Sequence, residues 1–369
     1  MTKEFAFCSV SFNMEQKRKT LLIFGNYGLP NWGDEGILAG IRRRIDQKAW
    51  KILVVSPFMK NIAIEHKLLA IPPPPSTIFS LGKWILTGKF FKTYTAVKNA
   101  DLVIFGGGGL FQELPKKALS IWRRYFRFCV FFKKRILLIG NSFGPFRSQR
   151  SLRKTGNLLS SASFCSVRDE NSLNILRDMH FPAGRSFLAT DAAFLLPAKR
   201  SGPLKKSGIL ICLRNGDLSK EYLDEIRKFC RQVEKKKQKV EFLPMQITRS
   251  ADDKLAAKLG IPLFLPKNLT EVRTKIAESE FLLGNRLHSG IFAMLSSTPF
   301  LIIPSRPKIQ NFFTSCGLPK MLLSGKITAQ KIMKKYEHLK KAGLPLKKEI
   351  KGAVKREKEK CSYLFPDFL

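Results

Sequence analysis

Arg286 and His288 are the residues of this chain best suited to do chemistry. They stand in the run Gly284-Asn285-Arg286-Leu287-His288-Ser289-Gly290, which closes the apolar stretch Phe281-Leu282-Leu283. An arginine two residues ahead of a histidine, at the mouth of a buried strand, sets a fixed cation beside a group that titrates near neutrality. The guanidinium can fork onto a carboxylate or a phosphate. An imidazole of unperturbed pKa about 6.5 can give or take a proton. Of the four histidines, His66, His180, His288 and His338, only His288 has such a setting. In isolation the pair also reads as a strand-end arginine and a histidine packed into the next helix. Arg214 follows the apolar stretch Gly208–Leu213 in the same way. Arg168 precedes a helix with Asp169 as its N-cap or first-turn acid, and reads more simply as a salt bridge to Asp169 or Glu170.

The elements that must position these residues alternate. Leu21–Phe24 reads as a short buried strand running into Gly25-Asn26-Tyr27-Gly28-Leu29-Pro30-Asn31-Trp32-Gly33-Asp34-Glu35, followed by the helical pattern Ile37, Leu38, Ile41, Ile45. Strand, glycine-rich turn and helix open a doubly wound unit, whose ligands bind at the carboxyl edge of the sheet. Further strands are expected at Trp50–Ser56, Asp101–Phe105, Ile136–Gly140 and Ser163–Val167, with Gly106–Gly109 and Asn141–Pro145 as turns after two of them. Pro72–Pro75 is a stiff segment that cannot be helix or inner strand. The second half repeats the alternation, with strands at Gly208–Leu213, Val240–Pro244, Leu263–Leu265, Phe281–Gly284 and Phe300–Ile303. The expected fold class is α/β: two Rossmann-like domains facing a cleft. Residues 1–20 form a leader, 21–196 the first domain, 197–207 a linker and 208–326 the second domain. Residues 327–369 form a basic helical tail with few apolar anchors after Leu346, for which folding back on the first domain is one arrangement.

The glycines at 25, 28 and 33 do not make GxGxxG, and no GxxxxGK[ST] is present, which disfavours a nicotinamide or P-loop enzyme. Sixty-six Lys+Arg against 28 Asp+Glu give a net charge of +38, an excess that favours anionic partners without choosing among them. The seven cysteines are scattered. None has the spacing of a zinc site, so no metal is expected and a reducing, cytoplasmic setting is. Lys3 and Glu4 with no long apolar run after them predict no secretory signal, and no stretch approaches the roughly twenty apolar residues of a membrane span. The basic and aromatic stretches 79–99 and 116–134 suit either a membrane surface or core-facing helices with solvated basic faces.

Together the motifs resemble the polysaccharide pyruvyl transferase family. The resemblance rests on Gly-Asn-Tyr-Gly-x-x-Asn-x-Gly-Asp-Glu (25–35), Asp-Leu-Val-Ile-x-Gly-Gly-Gly (101–108), Gly-x-Ser-x-Gly-Pro (140–145) and Val-Arg-Asp-Glu-x-Ser (167–172). It continues in Asp191-Ala192-Ala193-Phe194 and in Arg-Leu-His (286–288) with Pro299 and Pro307-Lys308, in the family's order over residues 20–320. It implies a GT-B-like fold and transfer of an enolpyruvyl-derived group from phosphoenolpyruvate to a sugar of a cell-surface glycan, forming a ketal without a further cofactor. Arg286 and His288 would be catalytic, and Arg214, Arg286, Leu287 and His288 would hold the donor. Asn31, Asp34, Glu35, Gly107, Gly108 and Ser142 would face a nucleotide- or lipid-linked sugar acceptor. Pro30, Asn141 and Ala192 depart from the residues usual in the family, the first in the acceptor loop.

Two other readings compete. A GT-B glycosyltransferase using a nucleotide sugar would share the cleft but needs a carboxylate in the second domain, for which Glu278 and Glu280 are candidates. A non-catalytic protein held on anionic membrane or nucleic acid by charge alone would bind in a salt-sensitive way and be indifferent to His288. The ordered strand-end motifs disfavour this last reading, and nucleic acid is not an expected partner.

Overall fold

The computed structural model describes residues 18–75, 82, 84–113, 116–199, 206–247 and 252–367. The expected leader up to residue 17, residues 200–205 of the expected linker and Cys8 lie outside the described residues. The first sheet contains β1 (Lys19–Phe24), β2 (Trp50–Val55), β3 (Leu69–Ile71), β4 (Leu102–Phe111), β5 (Ile136–Phe143), β6 (Phe164–Val167) and β7 (Ser186–Leu188). Its order is β3-β2-β1-β4-β5-β6-β7, with every pairing parallel. The unbroken apolar runs Leu21–Phe24 and Leu102–Phe105 are the composition of strands covered by helices on both faces. The second sheet contains β8 (Ile209–Cys212), β9 (Val240–Phe242), β10 (Phe281–Gly284) and β11 (Phe300–Ile302), ordered β11-β10-β8-β9 and again parallel.

Both orders reverse once, and a crevice opens at the carboxyl ends of the two strands flanking a reversal. In the first sheet these are β1 and β4, followed or ended by the loop from Gly25 and by Gly106–Gly109. In the second they are β8 and β10, whose ends deliver Arg214 and Arg286. The two reversal points face each other across one cleft.

Three expected elements differ from the structure. Gly106–Gly109 is not a turn: β4 runs on to Phe111 and pairs with β5 throughout, with a register shift between Gly108 and Phe111. Gly107 and Gly108 have φ of +47° and +77°, which lets the strand bulge without ending. β5 continues through Asn141 and Ser142 to Phe143, because the side chains beyond the glycine are buried as deeply as those before it. Leu263–Leu265 is no strand; Leu263 makes a single bridge to Phe242.

The first helix, Trp32–Arg44, joins the halves. Trp32 N donates to Met245 O at 3.0 Å and Ile247 N to Pro30 O at 3.1 Å, so the loop before this helix is stitched to the loop after β9. Gly33, Gly36 and Gly40 share one helix face, at spacings of three and four residues. A Cβ would meet His288 Nδ1 at 2.3 Å from Gly33, the Phe292 ring at 2.7 Å from Gly36, and Ala192 O at 2.1 Å from Gly40. This bare face admits the helix Leu287–Leu295 and the turn Ala192–Leu195 at contact distance.

The segment after Ile327 has more apolar anchors than its spacing suggests. Helix Ala329–Lys341 buries Ile332, Tyr336 and Leu339 in the second domain's core, and helix Gly343–Lys360 adds Leu346, Ile350 and Ala353. The chain then crosses to the first sheet, where Leu364 and Phe365 join the core beside Leu137 and Ile139. Ser166 Oγ donates to Leu364 O at 2.9 Å, and Thr190 Oγ1 donates to Glu357 Oε2 at 2.5 Å. No described helix is long and apolar enough to cross a membrane. Replacing the fully buried Leu364 by Ala is expected to lower unfolding free energy by about 2–5 kcal/mol, read as a shift of the urea midpoint at unchanged slope.

Candidate active site

The cleft is lined from the first domain by Asn26, Asn31, Gly33, Asp34, Gly108 and Arg168 among others. The second domain contributes Arg214, Asp217, Gln246, Arg286, Leu287, His288, Arg306 and Lys308. Arg286 is the N-cap of Leu287–Leu295 and His288 lies in its first turn, so one strand-to-helix junction presents both.

Arg286 is gripped from behind. Its Nη2 pairs with Asp252, a fully buried carboxylate whose other oxygen accepts from Asn215 N at 3.1 Å. Its guanidinium also lies 3.4 and 3.5 Å from Gln246 Oε1. Five N–H donors in a rigid fork allow the group to keep these partners and still face an anion. Arg214 donates its backbone N–H to Asn285 Oδ1 at 2.7 Å, tying the ends of β8 and β10 together. Asp217 lies between Arg214 and Arg306, 3.5 Å from Nε of the first and 3.0 Å from Nη2 of the second.

His288 has a carboxylate behind it. Its Nε2 is 3.4 Å from Asp191 Oδ2, and the same oxygen is 2.6 Å from Arg168 Nη1. Asp191 Oδ1 accepts from Ala193 N at 2.9 Å. Burial alone would push the Asp191 carboxyl up, but the charges of His288 and Arg168 and these hydrogen bonds outweigh it and hold it well below the usual carboxylate range. Arg168 therefore pairs with Asp191, not with Asp169 or Glu170. Asp169 caps its helix by accepting from Ser172 N at 2.8 Å.

Lys308 is half-buried in the first turn of Pro307–Ser315 and has no hydrogen-bond or ion-pair partner among the described residues. Burial, with Arg168, Arg306 and Arg214 nearby, pushes its ammonium down to about 8. Asp34 accepts from Asn31 Nδ2 at 2.6 Å; burial raises its pKa, with His288 and Arg168 opposing. The cleft thus gathers cations from both domains around a histidine.

A family model described as "Polysaccharide pyruvyl transferase" matches residues 31–307. The chain belongs to the polysaccharide pyruvyl transferase family. As a member it is a transferase. No curated protein matches it. Among solved structures, Anabaena Alr3699/HepE in complex with UDP-glucose superposes with a TM-score of 0.60 at 12% identity, covering 94% of this chain and 95% of that one. UDP-GlcNAc 2-epimerase from Neisseria meningitidis bound to UDP-GlcNAc gives 0.58 at 13% identity, covering 93% of this chain and 99% of that one. The UDP-GlcNAc 2-epimerase of Methanocaldococcus jannaschii gives 0.59 at 14% identity, covering 86% and 92%. Identities this low speak to the fold alone, which is GT-B-like.

The pyruvyl transferase cleft collects most of the residues expected from sequence: Arg214, Arg286, Leu287, His288, Asn31, Asp34 and Gly108. Three expected residues are placed elsewhere. Glu35 points away from the cleft, its Oε1 accepting from Gly28 N at 2.8 Å and its Oε2 lying 2.7 Å from His66 Nε2. Burial pushes Glu35 up to about 9 and His66 down to about 4, so this pair is neutral and braces the loop. Ser142 lies beneath the surface, donating to Asp169 Oδ2 at 2.8 Å and accepting from Arg168 Nε at 2.6 Å. Gly107 packs on Ile37. Glu280, a candidate under the nucleotide-sugar reading, lies 3.3 Å from Lys340 and does not line the cleft; nor does Glu278.

Asp191, Asp217, Asp252, Gln246, Arg306 and Lys308 lie outside the expected set. Asp191 and Lys308 stand within motifs of the family resemblance, a usable signal. Asp252 and Gln246 sit in an irregular loop where an isolated carboxylate or amide has no periodicity to mark it. Replacing Gly33 by Ala is expected to displace the His288 ring and lower transfer rate about a hundredfold, since a misplacement of about 1 Å has that effect. Steady-state kinetics beside an unchanged circular dichroism spectrum would check it.

Proposed function

We propose that this transferase moves the pyruvyl group of phosphoenolpyruvate onto a sugar of a cell-surface glycan or its precursor, forming a cyclic ketal. The observation that carries the reading is the convergence of Arg286, Arg214, Arg306 and Lys308 on a histidine backed by the buried carboxylate of Asp191. Phosphoenolpyruvate bears a carboxylate and a phosphate, and charge-assisted bonds from two or more guanidinium groups match that double anion. His288 gives its proton to the methylene carbon, and C2 becomes electrophilic. A sugar hydroxyl adds at C2 and its proton returns to the His288 imidazole. The C2–O bond to phosphate then breaks, phosphate leaves with the electron pair, and a second hydroxyl closes the ketal, its proton passing to the departing phosphate. Arg286 and Arg214 stabilise the anionic donor throughout, in place before reaction begins. Asp191 lies 3.4 Å from His288 Nε2 and is a positioning residue. The first domain's Asn31, Asp34 and Gly108 face the sugar.

The cleft disfavours the nucleotide-sugar alternative at the residues expected for it, because neither Glu278 nor Glu280 reaches the ligand space. The same cleft makes charge-only binding a poor account of His288. Phosphate release from phosphoenolpyruvate, with a panel of nucleotide- and lipid-linked sugars, tests the proposal. His288→Ala is expected to lower kcat by about 10²–10⁴, the usual contribution of a positioned acid. Arg286→Ala is expected to raise KM for the donor as well. Absence of release, together with absence of phosphoenolpyruvate binding by calorimetry, would overturn the reading.

Lys308 adds a pH signature. Its cation is present below about 8 and is lost as pH rises through that value, so kcat/KM for the donor falls on the alkaline side. The free enzyme's titration governs that ratio. Lys308→Arg keeps the charge at all accessible pH values and is expected to remove this limb, whereas Lys308→Met lowers kcat/KM at every pH.

A further inference from the structure

Several exposed apolar side chains of the first domain gather on one face. Leu86 is 88% exposed, Phe131 77% and Phe91 64%, with Ile85 also exposed. Ring contacts join two helices along this face. Phe91 meets Phe90, Phe90 stacks on Tyr94, Tyr94 meets Phe132, and Phe132 meets Phe131. Scattered exposed apolar groups are ordinary, but a contiguous set of large ones marks an interaction surface. Exposed cations surround this set: Lys89, Lys92, Lys98, Arg127 and Lys133. Neither 82–100 nor 116–135 contains an aspartate or glutamate.

A groove connects this face to the cleft. It begins at Asn26, which lines the cleft as well, and passes Tyr27, Pro57 and Trp122. Its continuation shares Pro57, Pro73 and Tyr125 with that stretch and ends at Trp84 and Lys89. The walls are mainly apolar, unlike the charged cleft they leave.

We propose that this face docks on an anionic bilayer and that the groove receives the hydrocarbon next to the head group of a lipid-linked acceptor. The second half rests on the pyruvyl transfer reading; the first does not. Leu86, Phe91 and Phe131 enter the boundary between headgroups and acyl chains, while the lysines and arginines meet anionic headgroups. Each basic residue at such a surface strengthens binding roughly fivefold. A nucleotide-linked sugar has no hydrocarbon to occupy an apolar groove.

The test uses the full chain with vesicles of phosphatidylglycerol and phosphatidylcholine, compared with phosphatidylcholine alone. Binding to the anionic vesicles is expected to be about tenfold tighter or more and to weaken with salt. The combined variant Leu86→Glu, Phe91→Glu, Phe131→Glu is expected to lose that binding, with melting temperature and transfer to a water-soluble acceptor unchanged. Equal binding to both vesicle types, or a variant that sediments like the native chain, would overturn docking. So would a lipid-free dimer, seen by light scattering, that the same variant splits, because the face would then belong to a second copy. Ala118→Phe narrows the groove and is expected to reduce kcat/KM for lipid-linked acceptors while sparing soluble ones; equal loss on both would overturn the acceptor half. If no acceptor supports transfer, the pyruvyl reading fails while the vesicle result still decides docking.

Discussion

A carboxylate cut off from water has to be met by positive charge and hydrogen-bond donors, and Asp191 imposes that condition on everything around it. It is fully buried and lies between Arg168 and His288. Arg168 follows β6, Asp191 follows β7, and His288 belongs to the second domain. One anion therefore ties the first sheet to the helix that carries His288. Removing Arg168 would leave the buried carboxylate without its fixed cation, so the geometry behind His288 is tightly constrained. Arg286 has its own buried anion in Asp252. The two groups of the Arg-Leu-His motif are thus held from behind by separate carboxylates, which leaves their other faces toward the cleft.

The bare face of the helix Trp32–Arg44 makes that arrangement possible. Gly33, Gly36 and Gly40 let the second domain approach closely enough for His288 to reach Asp191 across the seam. Backbone bonds from Trp32 and Ile247 fix the register of the approach. The returning tail adds a second connection on the far side, with Glu357, Leu364 and Phe365 seated on the first sheet. Two sheets whose reversal points must face one another are in this way held at a defined separation. That separation sets the size of the ligand space.

The fold is shared with proteins whose solved structures hold UDP-glucose and UDP-GlcNAc, which illustrates how little architecture says about chemistry. The cleft's own inventory is several guanidinium groups, a lysine without a partner among the described residues and a carboxylate-backed histidine. The surplus of positive charge over the whole chain has two local expressions, the lined cleft and the basic aromatic face. Elsewhere much of it lies on exposed helix surfaces such as that of Gly343–Lys360, where solvation is sufficient explanation.

The alternation of apolar runs and helical patterns already specified two parallel sheets, because that periodicity reports burial and burial is local along a strand. Arg214, Arg286 and His288 were legible for the same reason: each follows a buried strand, and strand ends in such sheets meet ligands. The glycines at 106–109 misled, since glycine marks both turns and bulges and only the partner strand decides between them. The glycines at 33, 36 and 40 carried a helical spacing, yet what they admit belongs to the other domain. Asp191, Asp252 and Glu35 show the limit most clearly. A carboxylate's role depends on which cation or histidine it faces, and those partners lie between 23 and 97 residues away along the chain. Sequence by itself determined most of the elements and the placing of the Arg-Leu-His motif at a strand end, which depend on neighbours in the chain. Only the tertiary structure decided which charges meet, because electrostatic pairing depends on distance in space.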